Sequence, residues 1–209
     1  MCGIVGLFLK DKSLEPELGR LLSDMLITMT DRGPDSAGIA IYGAEAPGFA
    51  KITVQSPDPA RGFPGLDARL AAVAGVTVEL AVKDTHAVLT VPEASLEAVR
   101  AALATVAPTV RVMGAGASVE IFKEVGLPRQ VVERFGIASM AGSHGIGHTR
   151  MATESAVTTL GAHPFSTGPD QCLVHNGSLS NHNNLRRELK RGGVTFETDQ
   201  TIRQYEIVA

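Results

Sequence analysis

The sequence predicts an α+β protein made of two parts, on three observations. Short apolar, β-branched runs alternate with stretches whose leucines recur at helical spacing. A proline- and glycine-rich segment, Glu45 to about Gly65, interrupts that pattern. From Ala50, within that segment, to Met113 the elements follow the order β-α-β-β-α-β.

Gly3 to Leu9 (GIVGLFL) is an apolar run closed by Lys10-Asp11-Lys12, which predicts a buried strand. Leu14 to Met29 places Leu18, Leu21, Leu22, Met25, Leu26 and Met29 on one helical stripe. Asp31-Arg32-Gly33-Pro34-Asp35-Ser36 breaks that helix, and Ala37 to Tyr42 reads as the next strand. Then come a strand at Ala50 to Gln55 and a helix at Leu66 to Ala74. Strands Val76 to Val82 and His86 to Val91 are joined by Lys83-Asp84-Thr85. A helix at Leu96 to Val106 and a strand at Thr109 to Met113 complete the order of a ferredoxin-like βαββαβ module. Ser118 to Glu124, Gly145 to Thr149 and Gln171 to His175 read as strands, and Pro128 to Phe135 as a helix. A last helix, Asn181 to Arg191, carries Leu185 and Leu189, with Asn181 as its N-cap.

Composition narrows the function classes. A chain of 209 residues, 44 % hydrophobic and with a net charge of −3, suits a water-soluble globular protein. That charge gives no electrostatic reason to bind nucleic acid or an acidic membrane. With no Trp and 4 % aromatic residues, a base-stacking surface is not expected. No apolar run reaches the length of about 18 residues that spans a membrane. Lys10, Asp11 and Lys12 come too early for a signal peptide. Two cysteines, Cys2 and Cys172, are too few for a disulfide scaffold, so a reducing cytoplasm is expected.

Cys2 stands directly behind the initiator methionine. A thiol of pKa about 8.5 is only a few per cent thiolate at neutral pH and needs a base. Removal of Met1 would free an α-amine of pKa about 7.7–8.0 on the same residue, able to take the thiol proton directly or through a water. Alone, Cys2 reads rather as a buried apolar strand-edge residue. Four further stretches bear on it: Arg32-Gly33-Pro34-Asp35-Ser36, Gly147-His148-Thr149-Arg150-Met151-Ala152-Thr153, His175-Asn176-Gly177 and Glu197-Thr198-Asp199. With Cys2-Gly3-Ile4-Val5-Gly6, in this order, they resemble the glutaminase domain of class II glutamine amidotransferases, which are N-terminal-nucleophile hydrolases. The resemblance covers about residues 1–43 and 143–199.

The resemblance implies a four-layer αββα sandwich formed by 1–49 and 141–209, with 50–140 as an inserted module. The family continues well beyond Asp199, so a chain ending at Ala209 is expected to leave that sandwich short of its C-terminal part. Cys2 would attack the side-chain amide of L-glutamine, with Asn176 and Gly177 as oxyanion donors. Arg150 and Thr153 would hold the substrate α-carboxylate and Asp199 its α-ammonium. Arg32 and Asp35 would organise the nucleophile's surroundings, and His175 the loop before Asn176. His148, His163 and His86 read as structural, and Cys172 as packing. Relatives that make glucosamine phosphate carry Trp where this chain has Met151 and His where it has Glu154, so their lid does not transfer. No metal ligand set is read.

Small glutaminase subunits with a long insertion occur in glutamate-synthase-like complexes, including N-methylglutamate synthase. That likeness implies no cofactor in this chain, FMN and an iron–sulfur cluster on partner subunits, and a hetero-oligomer with synthase subunits. Two alternatives stand beside it: a catalytically silent regulatory or scaffolding homologue, and the glutaminase part of an amidophosphoribosyltransferase-like enzyme. The insert reads as a docking surface for a partner, with a ligand-sensing module as its alternative.

Overall fold

The computed structural model describes residues 2–152, 156–177 and 182–193. In chain order the elements are β1 (Gly3–Phe8), α1 (Leu18–Thr28), β2 (Ser36–Tyr42), β3 (Phe49–Gln55), α2 (Pro59–Gly62), α3 (Leu66–Ala74), β4 (Glu79–Lys83) and β5 (His86–Pro92). They continue with α4 (Leu96–Val106), β6 (Arg111–Gly116), β7 (Val119–Val125), α5 (Pro128–Phe135), β8 (His144–Arg150), β9 (Phe165–Gly168), β10 (Gln171–Leu173) and α6 (His182–Arg191). The fold class is α+β, as the sequence predicts.

The first sheet is antiparallel, with strand order β1-β8-β2-β7. Alternation along β2 sends Ile39 and Ile41 to one face and Ala40 to the other. On the first face lie α1 and α5, whose Leu18, Leu22, Leu26, Val131 and Phe135 are buried with Val5 and Phe122. Burying each such side chain contributes about 1.5–3 kcal/mol. Leu160 and Cys172 pack on the opposite face against Ala40, Val119 and Ile121. The β9–β10 hairpin is tied down there by Asp170, whose carboxylate accepts from the Ala117, Ser118 and Val119 amides and the Ser118 hydroxyl. Burial pushes that carboxyl up, but the four donors outweigh it and hold it below the ordinary value.

The second sheet has strand order β4-β5-β3-β6 and closes the βαββαβ order. Leu66 and Leu70 of α3 and Val99 and Leu103 of α4 pack with Ile52, Val54, Leu89 and Val91 from the strands. The sheets meet at β7. Thr53 Oγ1 accepts from the Ile121 amide at 3.3 Å, Lys51 pairs with Glu120 at 2.8 Å, and His86 sits edge-on to Phe135.

Several expectations are corrected. Among the described residues β1 is an edge strand with Ile4 and Phe8 exposed, not a buried one, because β8 alone of the described strands pairs with it. The first helix begins at Leu18, after a 3-10 turn over Lys12–Glu17; Pro16 disfavours regular α-helical geometry at Glu15, the residue before it. The last strand stops at Leu173 rather than His175, and it pairs with β9, which the sequence reading did not anticipate. The chain returns to the first sheet at β7, which pairs with β2, and α5 packs on that sheet. Among the described residues no helix is long and apolar enough to cross a membrane.

Candidate active site

The site forms where β1 begins and β8 ends. Antiparallel register sets Gly3 opposite Thr149, which brings Cys2 to the Arg150 end of β8. The Cys2 thiol points to the Met151 carbonyl oxygen at 3.9 Å and is partly buried. Thr149 fixes the start of β1. Its hydroxyl accepts from the Gly3 amide at 3.1 Å and donates to the Met29 carbonyl at 3.3 Å. A Cβ at Gly3 would stand 2.8 Å from that hydroxyl oxygen, so the residue after the cysteine has to be small.

The Arg32–Ser36 loop presses against the same strand end. A Cβ at Gly33 would lie 2.5–2.6 Å from backbone atoms of Thr149 and Arg150, an approach only glycine allows. The Asp35 amide donates to the Arg150 carbonyl at 3.0 Å, and its carboxylate accepts from the Ala152 amide at 2.7 Å. Asp35 thus holds the turn leaving β8. Arg32 is exposed, and its side chain makes no hydrogen bond or ion pair among the described residues.

Arg150 is buried at 3 % exposure, with one guanidinium nitrogen donating to the Ala156 carbonyl at 3.2 Å. The His175–Gly177 segment arrives from the far end of the sequence. The Asn176 side-chain amide donates to the carbonyl of Cys2 at 2.8 Å. A Cβ at Gly177 would lie 3.4 Å from the His175 ring. His148, fully buried on β8, donates through Nε2 to the His175 carbonyl at 3.0 Å; a carbonyl only accepts, so Nε2 carries the hydrogen. His163 stacks on His148 with ring centroids 4.3 Å apart.

Of the residues singled out in the sequence, Cys2, Arg150, His175, Asn176 and Gly177 thus come together, and Arg32 does not join their contacts. Thr153 and Asp199 lie outside the described residues, as do Met1, Glu154 and Asn181. Cys172 packs under Tyr42, whose hydroxyl donates to its sulfur at 3.3 Å; burial pushes this thiol up, against that hydrogen bond. Among the described residues no group of three or more His, Cys, Asp or Glu is placed to hold a metal ion. Sequence reasoning gave Thr149 no role, although it stands inside one of the motifs. It also missed Lys123 and Glu124, both buried on β7.

No family model matches the chain. Glutamine amidotransferase-like protein GlxB of Rhizobium meliloti is 71 % identical over 198 residues, covering 95 % of this chain and 65 % of that protein. A protein of Methanothermobacter thermautotrophicus whose name places it with the glutamine amidotransferases is 32 % identical over 222 residues, 95 % of this chain and 68 % of that one. The chain belongs to the glutamine amidotransferase family. It spans about two thirds of the length of these two relatives. The glutamine–fructose-6-phosphate aminotransferase of Pseudomonas putida is similar over a shorter stretch, 52 % identical across 62 residues, which is 30 % of this chain and 10 % of that enzyme. In this amidotransferase, then, Cys2 and the Asn176 amide meet at the end of β8, the strand that closes with the buried Arg150.

Proposed function

We propose that the chain is a class II glutaminase: it hydrolyses L-glutamine to glutamate and ammonia, with Cys2 as nucleophile. One observation carries this reading, the 2.8 Å hydrogen bond that joins the Asn176 amide to Cys2 across 174 residues of sequence. In a chain freed of Met1, the α-amine of Cys2 takes the thiol proton, and the thiolate attacks the glutamine side-chain carbonyl carbon. The oxyanion receives the Asn176 amide and the Gly177 backbone N–H. Collapse breaks the C–N bond, and the nitrogen leaves as ammonia carrying the transferred proton. Water then cleaves the γ-glutamyl thioester, releasing glutamate and restoring the thiol.

Arg150 offers a planar fork of donors to the substrate α-carboxylate, helped by the Thr153 hydroxyl, while Asp199 meets the α-ammonium. Asp35 and His175 hold the loops around them, and Arg32 borders the loop from outside. On this reading the helices on one face of the first sheet and the β9–β10 hairpin on the other belong to an αββα sandwich, with the ferredoxin-like sheet as an insertion. The ammonia passes to a synthase subunit of a glutamate-synthase-like or N-methylglutamate synthase complex in the cytoplasm, whose partners hold FMN and an iron–sulfur cluster. Exposed Phe49, Val82 and Val112 on the inserted sheet support a docking role for it.

The test is Cys2→Ala in the assembled protein. Glutamine-dependent turnover is expected to vanish while ammonia-dependent turnover persists, and survival of the glutamine-dependent reaction would sink the reading. A glutamine-like diazo ketone is expected to label Cys2 in the wild type. Intact mass from the native host is expected to lack Met1. A co-purifying partner that is yellow and contains iron supports the synthase assignment; a colourless lone chain counts against it.

A further inference from the structure

The first sheet buries two charged side chains that glutamine chemistry does not use. Lys123 and Glu124 lie next to each other on β7 at 3 % and 7 % exposure. A buried charge is costly unless its hydrogen bonds are made, so where these bonds go is informative. Lys123 donates to the Ala162 carbonyl at 2.8 Å and the Pro164 carbonyl at 3.0 Å. Glu124 accepts from the Thr159 hydroxyl with one oxygen and from the Thr85 hydroxyl at 2.9 Å with the other. Arg134 of α5 stands 3.8 Å from Glu124 and 3.8 Å from Asp84.

Both lysine acceptors and one glutamate donor belong to the segment 156–165, the support on which the Arg150 guanidinium rests. Arg150 donates to the Ala156 carbonyl, and a Cβ at Gly161 would stand 3.6 Å from the same guanidinium nitrogen. The other glutamate donor, Thr85, is in the turn between β4 and β5 of the inserted sheet. That turn is held in one shape. Asp84 adopts a left-handed conformation at φ 54°, its carboxylate accepts from the Thr85 amide at 2.7 Å, and the Thr85 carbonyl accepts from the Ser56 amide at 2.9 Å. One carboxylate therefore bridges the insert and the seat of Arg150.

We propose that Glu124 is a positioning residue through which the Asp84–Thr85 turn of the inserted module sets the segment that seats Arg150, so that the insert tunes glutamine affinity. This rests on the assignment of Arg150 to the substrate carboxylate. A partner or ligand that moved the turn would change glutamine binding without touching Cys2. Such coupling needs a connected element that both ends bias, and Glu124 with its two threonines supplies one.

Thr159→Val, Thr85→Val and the rescue variants Thr159→Ser and Thr85→Ser, each in the full chain, test it. Thr159→Val and Thr85→Val are each expected to raise KM for glutamine about fivefold or more. In both, kcat and the rate of Cys2 alkylation by iodoacetamide stay near wild type, and serine restores KM. Thr85→Val is also expected to speed amide exchange at Gly161 and Ala162, whose protection comes from Thr158 and Thr159. An unchanged KM in both valine variants overturns the proposal, and so does exchange in Thr85→Val that is unchanged at 161–162. A wild-type chain without glutaminase activity would refute the glutamine reading instead, and the exchange result would still decide whether the turn and the segment are linked.

Discussion

Beneath the inserted sheet the core is made of Ile52, Val54, Leu66, Leu70, Leu89, Val91, Val99 and Leu103, aliphatic side chains packed on one another. Around the first sheet the buried set includes Ser36, Lys123, Glu124, His148, Thr149, Arg150 and His163. The two sheets have four strands each and share one chain, yet only one takes on the cost of burying charge. Their difference teaches where the constraints lie. The insert buries uncharged polar side chains such as Thr53, Gln55 and Ser56, with His86, but no Lys, Arg, Asp or Glu, whereas the first sheet also holds a thiol, a guanidinium and the groups that aim them. Lys123, Glu124, Thr149 and Arg150 cannot be exchanged for apolar residues of equal size without leaving hydrogen-bond partners bare.

The contrast can be broken first on the apolar side. Leu89→Ala, at a fully buried position of β5, is expected to lower unfolding free energy by about 2–5 kcal/mol. Denaturant titration measures it, and a loss under 1 kcal/mol would mean the inserted core is loosely packed. Asn176→Ala should act in the opposite manner: kcat for glutamine falls by about 10²–10³ while the denaturation midpoint hardly moves. An intact kcat there would remove Asn176 from the chemistry. Lys123→Met keeps the stem but strips two carbonyls of their donor, and about 1–3 kcal/mol of stability should go with it. If Met is neutral, the buried ammonium is not holding the 162–164 turn.

The smallest effect at neutral pH belongs to His86, at the seam between the sheets. Burial first, then the charges of Lys123 and Arg134, push its pKa down from 6.5 to about 3. Between those values the unfolded chain binds a proton that the folded one refuses. The stability His86 contributes is therefore whole above about pH 6.5 and is lost as pH falls toward 3. His86→Gln should flatten the pH dependence of the denaturation midpoint across that window. An unchanged slope would show that the seam already admits water.

Much of this was legible in the chain. Helices Leu66–Ala74, Leu96–Val106 and Pro128–Phe135 lie where leucine and valine spacing puts them, because each needs only a local stripe to face a sheet. β9 was not, since Phe-Ser-Thr-Gly has neither alternation nor length. The meeting of Cys2 and Asn176 was readable through the order of motifs and not through spacing, for no periodicity spans 174 residues. Lys123 and Glu124 were opaque for a different reason. In VEIFKEV they look like a solvent-facing pair, and only the segment folded over them makes them interior. Arg32, conspicuous in its loop, turned out to be exposed.

The strand order of the first sheet has a consequence for the chain as it is made. β8 lies between β1 and β2, which are close neighbours in sequence, and Gly3 meets Thr149 only across 146 residues. During synthesis β1 can gain no sheet partner until β8 has emerged, whereas β3 through β6 can close among themselves beforehand. The ribosome thus delivers a finished insert first, and the strand that begins after Cys2 waits for its neighbour. A nascent chain stalled before Arg150 is expected to carry a folded insert and a Cys2 as reactive as a thiol in an unstructured peptide.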